Sequence, residues 1–207
     1  MNPASSLALW GRRFRLPDTL SRPSGPNPRI PRLWLAGFLL MALPLLAQAP
    51  KPTEYQVKAA YLSEFGRFVE SWGNRPGPSV GEPFEICVLG QDPFGSNLDG
   101  AVKDEAIHGA PLVAKRISRS QDAPACRVLF IAGSEEPQLD AILTSVAGAA
   151  VLTVGDTPGF VKRGGIIQFV PDGNKVKFEI NLAASRRAGL NLSSELLKLA
   201  RVVRKTP

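Results

Sequence analysis

The chain has 207 residues, a formal net charge of +7, one histidine and two cysteines. A single histidine and two cysteines exclude a Cys/His metal cluster, and we expect neither a metal nor a cofactor. The positive charge does not indicate nucleic-acid binding, because most of it lies in the first 49 residues.

Residues 1–49 have the pattern of a signal peptide. Six arginines against one acidic residue, Asp18, precede an apolar run of 15 residues, 33–47. This run is short for a membrane-spanning helix, and Ala47 and Ala49 form the small-x-small pattern that signal peptidase recognises. We therefore predict cleavage after Ala49 and export to the periplasm. Retention as a membrane anchor is the alternative, which the short apolar run disfavours.

Cleavage would leave one domain, residues 50–207. Of the 25 basic and 18 acidic residues in the chain, 19 and 17 belong to this part, so its charge is nearly balanced. Its 158 residues are enough to bury a core. Because the periplasm is oxidising, Cys87 and Cys126 form a disulfide or remain two free thiols, and we favour the disulfide.

Residues 54–72 are predicted to form an amphipathic helix. Apolar residues recur at steps of three and four, and Lys58 is among the charged residues that lie elsewhere on the helix. We expect this helix to pack on the domain, and binding to a partner protein is the alternative. Its apolar face consists of Val57, Tyr61, Phe65, Phe68 and Trp72.

From Phe84 onward, short apolar strands alternate with helical segments. The predicted strands read FEICVLG, APLVAKRI, CRVLFIAGS, AVLTVGD and GIIQFV, and the predicted helices read DPFGSNLDGAV and EEPQLDAILTSVAG. Strands that are apolar on both faces indicate a sheet covered by helices. His108 falls in the turn before the second of these strands.

The C-terminal part is predicted to contain a hairpin and a helix. Residues 171–174 separate two strand-like runs and have a sequence typical of a hairpin turn. In the second run, Glu179 and Asn181 alternate onto a polar face that we expect to contact solvent or another polar surface. A final helix is predicted to begin after Ser193. Its apolar stripe consists of Leu196, Leu199, Ala200 and Val203.

These segments together predict an α/β fold. We expect a mixed sheet of about five to six strands flanked by helices, with an antiparallel C-terminal hairpin and an N-terminal amphipathic helix. Residues 50–207 contain no internal repeat and no low-complexity tract.

The stretch VLTVGDTPGF, residues 151–160, resembles the aspartate-containing motif of P-loop GTPases. Such an enzyme also needs a phosphate cradle that ends in Gly-Lys-Ser/Thr, but Gly100 is followed by Ala101 and Val102. We therefore exclude a GTPase. His108 has no neighbouring serine or cysteine in a nucleophile motif, so we expect that the protein is not an enzyme.

The loop after this strand carries the residues that we expect to bind a ligand. Asp156 ends a buried strand, where α/β sheets bind ligands, and Lys162 and Arg163 follow beside Phe160. Cations beside an apolar residue suit an anionic ligand or an acidic partner surface, and Arg187 could face the same side. The alternatives are a turn cap for Asp156 and solvated surface charges for the cations.

Five segments in order resemble the YfiR family of periplasmic proteins: EYQVKAAYLSEFGRFVESW, FEICVLGQDPFG, CRVLFIAGSEE, AAVLTVGDTPGFVKRGGIIQFV and NKVKFEINLAASRRAGLNLSSELLKLARVV. The likeness covers residues 54–203. It implies a non-enzymatic regulator that binds the periplasmic sensor region of an inner-membrane diguanylate cyclase and represses cyclic di-GMP synthesis. It also implies relief by an outer-membrane lipoprotein, and members can form dimers. The alternative function is a small-molecule sensor or binding module, using residues 156–163, that feeds a membrane histidine kinase or a transporter.

The resemblance also assigns individual residues. Cys87 and Cys126 match a cysteine pair of the family that can form a disulfide, and Glu179 matches an acid at the family's proposed partner surface. A second, downstream cysteine pair of the best-known member is absent here, so its redox control is not carried over. The partner contacts that we predict from the local physics are Phe160, Ile167 and Arg187.

Overall fold

The computed structural model describes residues 51–173 and 175–204. The predicted signal peptide and its cleavage site at Ala47 and Ala49 lie outside these residues. The helices and strands are α1 (Glu54–Phe65), β1 (Val69–Ser71), β2 (Phe84–Leu89), α2 (Ser96–Val102), β3 (Ala106–Ile107), β4 (Ala110–Ile117), β5 (Val128–Ile131), α3 (Leu139–Ser145), β6 (Leu152–Gly155), β7 (Ile167–Asp172), β8 (Lys175–Asn181), α4 (Leu182–Arg187), β9 (Asn191–Leu192), α5 (Ser194–Leu199) and β10 (Val202–Arg204). Short 3-10 helices are Gly66–Phe68, Ser120–Ala125 and Gly133–Gln138.

The main sheet is mixed and has the order β10-β8-β7-β6-β5-β2-β4-β3. Strands β4, β2, β5, β6 and β7 run parallel, and β7 and β8 form the antiparallel hairpin. The predicted α/β class is therefore confirmed. The sheet has eight strands instead of five to six, because the short edge strands β3 and β10 were not predicted. A separate antiparallel pair joins β1 to β9.

The two faces of the sheet carry separate apolar cores. On one face, α1 and α2 contribute Leu62, Phe65 and Leu98 to a core that also contains the phenylalanines of the hairpin. On the other face, α3 contributes Leu139 and Ile142. Each such fully buried side chain stabilises the fold by about 1.5–3 kcal/mol, so both layers are needed.

Helix α1 is shorter than predicted. It begins at a capping box in which the Thr53 hydroxyl accepts from the Gln56 backbone N–H, and it ends at Phe65. The residues up to Trp72 form a 3-10 turn and β1 instead, because Val69 pairs with Leu192 of β9. Lys58, which was placed on the charged side of the helix, is only 4% exposed.

The predicted final helix is wrong beyond Leu199. Helix α5 begins after Ser193, whose hydroxyl accepts from the Leu196 N–H as predicted, but Val202–Arg204 forms strand β10. A valine-rich segment favours an extended backbone, and the outer edge of β8 offers it backbone hydrogen-bonding partners. Val202 pairs with Glu179 in that register. Leu199 is 56% exposed and does not join the core.

Cys87 of β2 and Cys126, just before β5, form a disulfide with their Cα atoms 5.9 Å apart. This pairing agrees with the favoured interpretation of the sequence. His108 is exposed in the turn between β3 and β4, with a positive φ of 51°. Among residues 51–173 and 175–204, no helix is long and apolar enough to cross a membrane.

Candidate functional site: the surface over the C-terminal strands

Three buried polar side chains hold the loop of residues 156–166 against the sheet. Thr153 Oγ1 accepts from the Ile166 N–H at 3.1 Å, and Gln168 Oε1 accepts from the Val161 N–H at 3.2 Å. Asn181 Nδ2 donates to the Val161 carbonyl at 2.8 Å. Buried polar groups are stabilising only when they are paired in this way, so the loop has one preferred position.

Phe160 lies at the centre of this loop and is completely buried. A Cβ added to Gly165 would come within 2.0 Å of the Phe160 ring, so the loop backbone and the ring are in close contact. Ile167, on β7, is also completely buried. Neither side chain can touch a partner in this conformation. Phe160 supports the loop from beneath, within the core on the α3 side, whereas Ile167 belongs to the core on the α1 side of the sheet.

The cations of the loop are exposed, which fits a binding role and the alternative of solvated surface charges equally well. Arg163 Nε donates to Asp140 Oδ1 of α3 at 2.9 Å, and this hydrogen bond lowers the pKa of the Asp140 carboxyl. Because Asp140 has 74% of its side chain exposed, this ion pair contributes little to stability. Lys162 is exposed beside it.

Arg163 and Arg187 line the same cavity of about 340 Å³. It lies between α3, α4 and the loop, and Arg187 reaches it from the last turn of α4. The apolar part of the lining includes Val146, Val151 and Ile166. Two residues that lie far apart in the sequence are therefore brought to one surface.

Glu179 is largely covered, so of the two environments expected for the polar face of β8, solvent or another polar surface, it has the second. It is 8% exposed, and Arg201 Nη2 donates to Glu179 Oε1 at 3.1 Å. Asn181 is buried too, because it caps α4 by accepting from the Ala184 N–H at 2.8 Å. The sequence of β8 shows that apolar and polar residues alternate. It does not show what covers the polar face, because the covering residues come from α4, the loop and the residue before β10.

Exposed apolar side chains lie beside the Glu179–Arg201 pair. Leu199 is 56% exposed and Val202 is 38% exposed, and they account for two of the four large apolar side chains that are exposed among the described residues. We call Glu179, Leu199, Arg201 and Val202 the edge surface. A charged pair beside exposed apolar groups is typical of a protein-binding surface.

Asp156 lies at a different site from Arg163. Its Oδ2 accepts from Lys58 Nζ at 2.7 Å and from the Tyr55 hydroxyl at 3.2 Å, which fixes α1 to the end of β6. Desolvation and the Asp156 charge raise the pKa of Tyr55. Asp156 and Arg163 line separate cavities, so the structure does not combine them into the single ligand site that the sequence suggested.

Sequence reasoning missed the side chains that organise these sites. Thr153, Gln168 and Arg201 had no distinguishing pattern, because their partners lie on other elements. For Lys58 the sequence contained one indication, because Glu54 precedes it by four residues, which is the spacing of a helical ion pair. In the structure, Lys58 Nζ and Glu54 Oε1 lie 2.7 Å apart.

The chain is similar to known proteins over nearly all of its described part. A model of the YfiR/HmsC-like family matches residues 55–201. The crystal structure of a conserved domain protein from Vibrio cholerae O1 biovar El Tor has a TM-score of 0.50 and 14% identity, covering 73% of this chain and 60% of that one. The ABC domain in complex with L-Trp from Streptococcus pneumoniae has a TM-score of 0.46 and 11% identity, covering 72% of this chain and 60% of that one.

The first of these structural likenesses concerns the fold alone, because its identity is only 14%. This chain spans 60% of the length of each solved chain. The family match carries more weight, since it extends from the start of α1 to the residue before β10. The chain belongs to the YfiR/HmsC-like family, a family of periplasmic regulators.

Proposed function

We propose that this protein binds the periplasmic sensor region of an inner-membrane diguanylate cyclase and represses cyclic di-GMP synthesis. The observation that carries this proposal is the family match over residues 55–201, because the family's regulators act through a protein partner such as a sensor. A signal peptide of residues 1–49 would deliver the domain to the compartment where that sensor region lies.

The edge surface is the part of the domain that suits this partner best. Leu199 and Val202 provide exposed apolar area, and Arg201 and Glu179 provide a charged pair whose acid is mostly covered. About half of the Arg201 side chain is exposed, so its guanidinium can donate to an acidic group of a partner while it holds Glu179. Arg187 and Arg163 add positive charge on the same side of the sheet, which favours an acidic partner segment.

Repression follows from binding linkage. If the inactive conformation of the cyclase binds this protein more tightly than the active one does, binding shifts the cyclase population toward the inactive state. An outer-membrane lipoprotein that binds the same surface would remove the repressor and reverse this shift. We include a dimer of this protein in the same proposal, in the case where the second copy covers the edge surface or completes it.

Deletion of the gene tests the proposed function directly. We expect cellular cyclic di-GMP to rise when the gene is deleted and to return to its original level when the gene is restored. An unchanged level in cells that express the cyclase would contradict repression.

Replacement of Glu179 tests the surface. We expect Glu179→Gln to weaken binding to the purified sensor region by at least about tenfold, because Arg201, the exposed member of the pair, loses the carboxylate that positions its guanidinium. The free energy of unfolding should stay within about 1 kcal/mol, since Arg201 is half exposed and remains solvated.

The matched control is Glu64→Gln. Glu64 also pairs with an arginine, Arg67, at 3.0 Å, but it lies on α1 at the other face of the sheet. The Glu64→Gln variant should bind the sensor region as tightly as the unchanged protein does. Equal weakening by both variants would show that overall charge, and not the edge surface, determines binding.

A second candidate function is sensing of a small molecule for a membrane histidine kinase or a transporter. The cavity of about 340 Å³ favours it, because an apolar lining with two arginines suits an organic anion. A deletion that leaves cyclic di-GMP unchanged but alters the output of a neighbouring kinase or transporter would favour this function over the first.

A further inference from the structure

A crevice opens where the order of the parallel strands reverses. The chain places β4 on one side of β2 and then β5, β6 and β7 on the other, so the loops after β2 and β5 leave the sheet in opposite directions. In open α/β sheets this reversal creates a crevice at the carboxyl ends of the two strands. Here a cavity of about 320 Å³ lies at this point, lined by residues 91–93 and 132–134, Asp156 and Tyr55.

Helix α1 closes one side of the crevice through a buried cation. Only 5% of the Lys58 side chain is exposed, and its ammonium group holds Asp156. Both Lys58 and the Tyr55 hydroxyl donate to Oδ2 of Asp156. Among the described residues, none donates a hydrogen bond to Oδ1, so one oxygen of a positioned carboxylate is available at the crevice.

The charged side chains that line the crevice are both carboxylates, Asp92 and Asp156. Asp92 accepts from the Phe94 N–H at 2.8 Å and from Arg116 Nε at 2.9 Å, and each of its oxygens keeps a second lone pair. Ser134 Oγ accepts from the Gln91 N–H at 2.9 Å and donates to Glu135 at 3.1 Å, so this hydroxyl already has partners within the chain. A ligand that donates hydrogen bonds therefore fits this crevice better than one that accepts them.

The nearby cations do not cancel the negative charge. Lys58 is bound by Glu54 as well as by Asp156. Arg116 is bound by Asp99 as well as by Asp92. Each cation is thus held by two carboxylates, and neither Lys58 nor Arg116 is among the residues that line the crevice, whereas Asp92 and Asp156 are.

A single metal ion does not suit this arrangement. In the described part of the chain, Asp92, Asp156 and Glu135 do not bring three ligand atoms within 4.8 Å of one another. The Tyr55 ring and Pro93 also give the crevice an apolar wall, which a bare ion would not use.

We propose that this crevice binds a small organic cation. Its protonated amine donates to Asp156 Oδ1, and its apolar body lies against Tyr55 and Pro93. A charge-assisted hydrogen bond in a partly covered site is strong enough to give selectivity for the amine over a neutral or anionic analogue. The proposal does not depend on the cyclase, because the crevice is formed by this chain alone.

Titration of the purified protein with benzylamine tests the site. We expect saturable shifts of the amide NMR signals of residues 132–134 and Asp156. Benzyl alcohol should bind more weakly than benzylamine, because it lacks the ammonium group. Benzoate should bind least, because it carries a negative charge instead. Tighter binding of benzoate, or the absence of shifts with benzylamine at millimolar concentration, would overturn the proposal.

A steric variant separates this site from adventitious binding. A Cβ on Gly133 would meet no atom within 4 Å, so Gly133→Leu fills the crevice while it leaves the Lys58–Asp156 pair intact. Gly100→Leu is the matched control, since the space around Gly100 on α2 is also open and lies outside the crevice.

We expect Gly133→Leu to weaken benzylamine binding by at least about tenfold, the effect of losing a charge-assisted hydrogen bond. Gly100→Leu should bind as the unchanged protein does. Equal binding by both variants and the unchanged protein would place benzylamine elsewhere and refute the site. The measurement needs no partner protein, so its outcome is independent of the proposed repression of a cyclase.

Discussion

Lys58 places a positive charge beneath the first turn of α1, with Asp156, Glu54 and Tyr55 around it. Burial disfavours the charged ammonium, but the hydrogen bonds to Asp156 and Glu54 outweigh this cost and raise the pKa of Lys58 above its ordinary value of 10.5. The ion pair therefore stabilises the fold fully below about pH 10, and this stabilisation is lost as the pH rises through the folded-state pKa.

We expect Lys58→Met to lower the free energy of unfolding by about 2 kcal/mol at neutral pH, because Asp156 loses its charged donor. The difference from the unchanged protein should stay constant to about pH 9 and shrink at higher pH. Urea unfolding across this range measures it. Both proteins are compared with Tyr55→Phe also present, since Tyr55 titrates in the same alkaline range. If the difference in the free energy of unfolding does not shrink at alkaline pH, the role of the Lys58 ammonium charge is contradicted.

Arg75 and Arg127 lie near each other but differ in whether their guanidinium groups are hydrogen-bonded. Arg75 donates to the carbonyls of Cys126 at 2.7 Å and Ala125 at 2.6 Å. Arg127 is 9% exposed, and its Nη1 is buried with no hydrogen-bond partner in the described part of the chain. Desolvation and the Arg75 charge lower the pKa of Arg127, so its charge is held at a cost that the contact with the Trp72 ring only partly offsets.

The two arginines should therefore respond differently to replacement by methionine. We expect Arg75→Met to lower the free energy of unfolding by about 1–3 kcal/mol, because the partly buried carbonyl of Cys126 and the carbonyl of Ala125 lose their donor. Arg127→Met should leave it unchanged or raise it, since an unpaired buried charge is replaced by an apolar side chain. Thermal unfolding of both variants measures this, and a larger loss for Arg127→Met would show that its charge is paired in solution.

At the scale of elements, the loop of residues 156–166 depends on two glycines that lie against Phe160. A Cβ on Gly155 would come within 2.7 Å of the ring, and one on Gly165 would come closer still. The ring can be buried only because both positions lack a side chain. Any residue larger than glycine must displace Phe160 and with it the backbone that presents Lys162 and Arg163.

We expect Gly165→Ala to destabilise the protein by about 1–3 kcal/mol through overpacking. Gly100→Ala on α2 is the control, where an alanine in an open helical position should stabilise by about 0.5–1 kcal/mol. Chemical unfolding measures both. If Gly165→Ala were as stable as the unchanged protein, the loop would not be packed on Phe160 as described.

The element boundaries show where sequence patterns were sufficient. Strands β2, β4 and β5 were predicted because each is a short, mainly apolar run, and the hairpin of β7 and β8 was predicted from its turn. Helix α4 and strand β10 were not. Each is short and depends on a partner, since α4 is capped by Asn181 and β10 uses the open edge of β8.

At the scale of the whole molecule, the disulfide joins β2 to the segment before β5 across a separation of 39 residues. Both cysteines are buried in the core on the α3 side. A cross-link of this length restricts the unfolded chain and stabilises the native state by about 3–4 kcal/mol on the chain-entropy model.

We expect the double variant Cys87→Ala/Cys126→Ala to lose about 3–4 kcal/mol in urea unfolding and to keep the same fold by circular dichroism. The unchanged protein measured with reductant serves as the comparison. If the double variant and the reduced protein each lose well below 1 kcal/mol in free energy of unfolding, the two thiols are not joined in the purified protein. Alkylation without reductant, followed by mass measurement, decides this independently.

The sequence by itself determined the α/β class, the family, the main strands and the hairpin, because these depend on local periodicity, turn chemistry and ordered segments. Only the tertiary structure decided which polar residues act together. Lys58 and Asp156 lie 98 residues apart, and Glu179 and Arg201 lie 22 apart. Such pairs are set by which strands neighbour each other and which faces are covered, and no local pattern contains that information. For the same reason, Phe160 and Ile167 are buried in the two cores, whereas the exposed groups near Arg201 come from the end of α5 and from β10, where the sequence predicted one continuous helix.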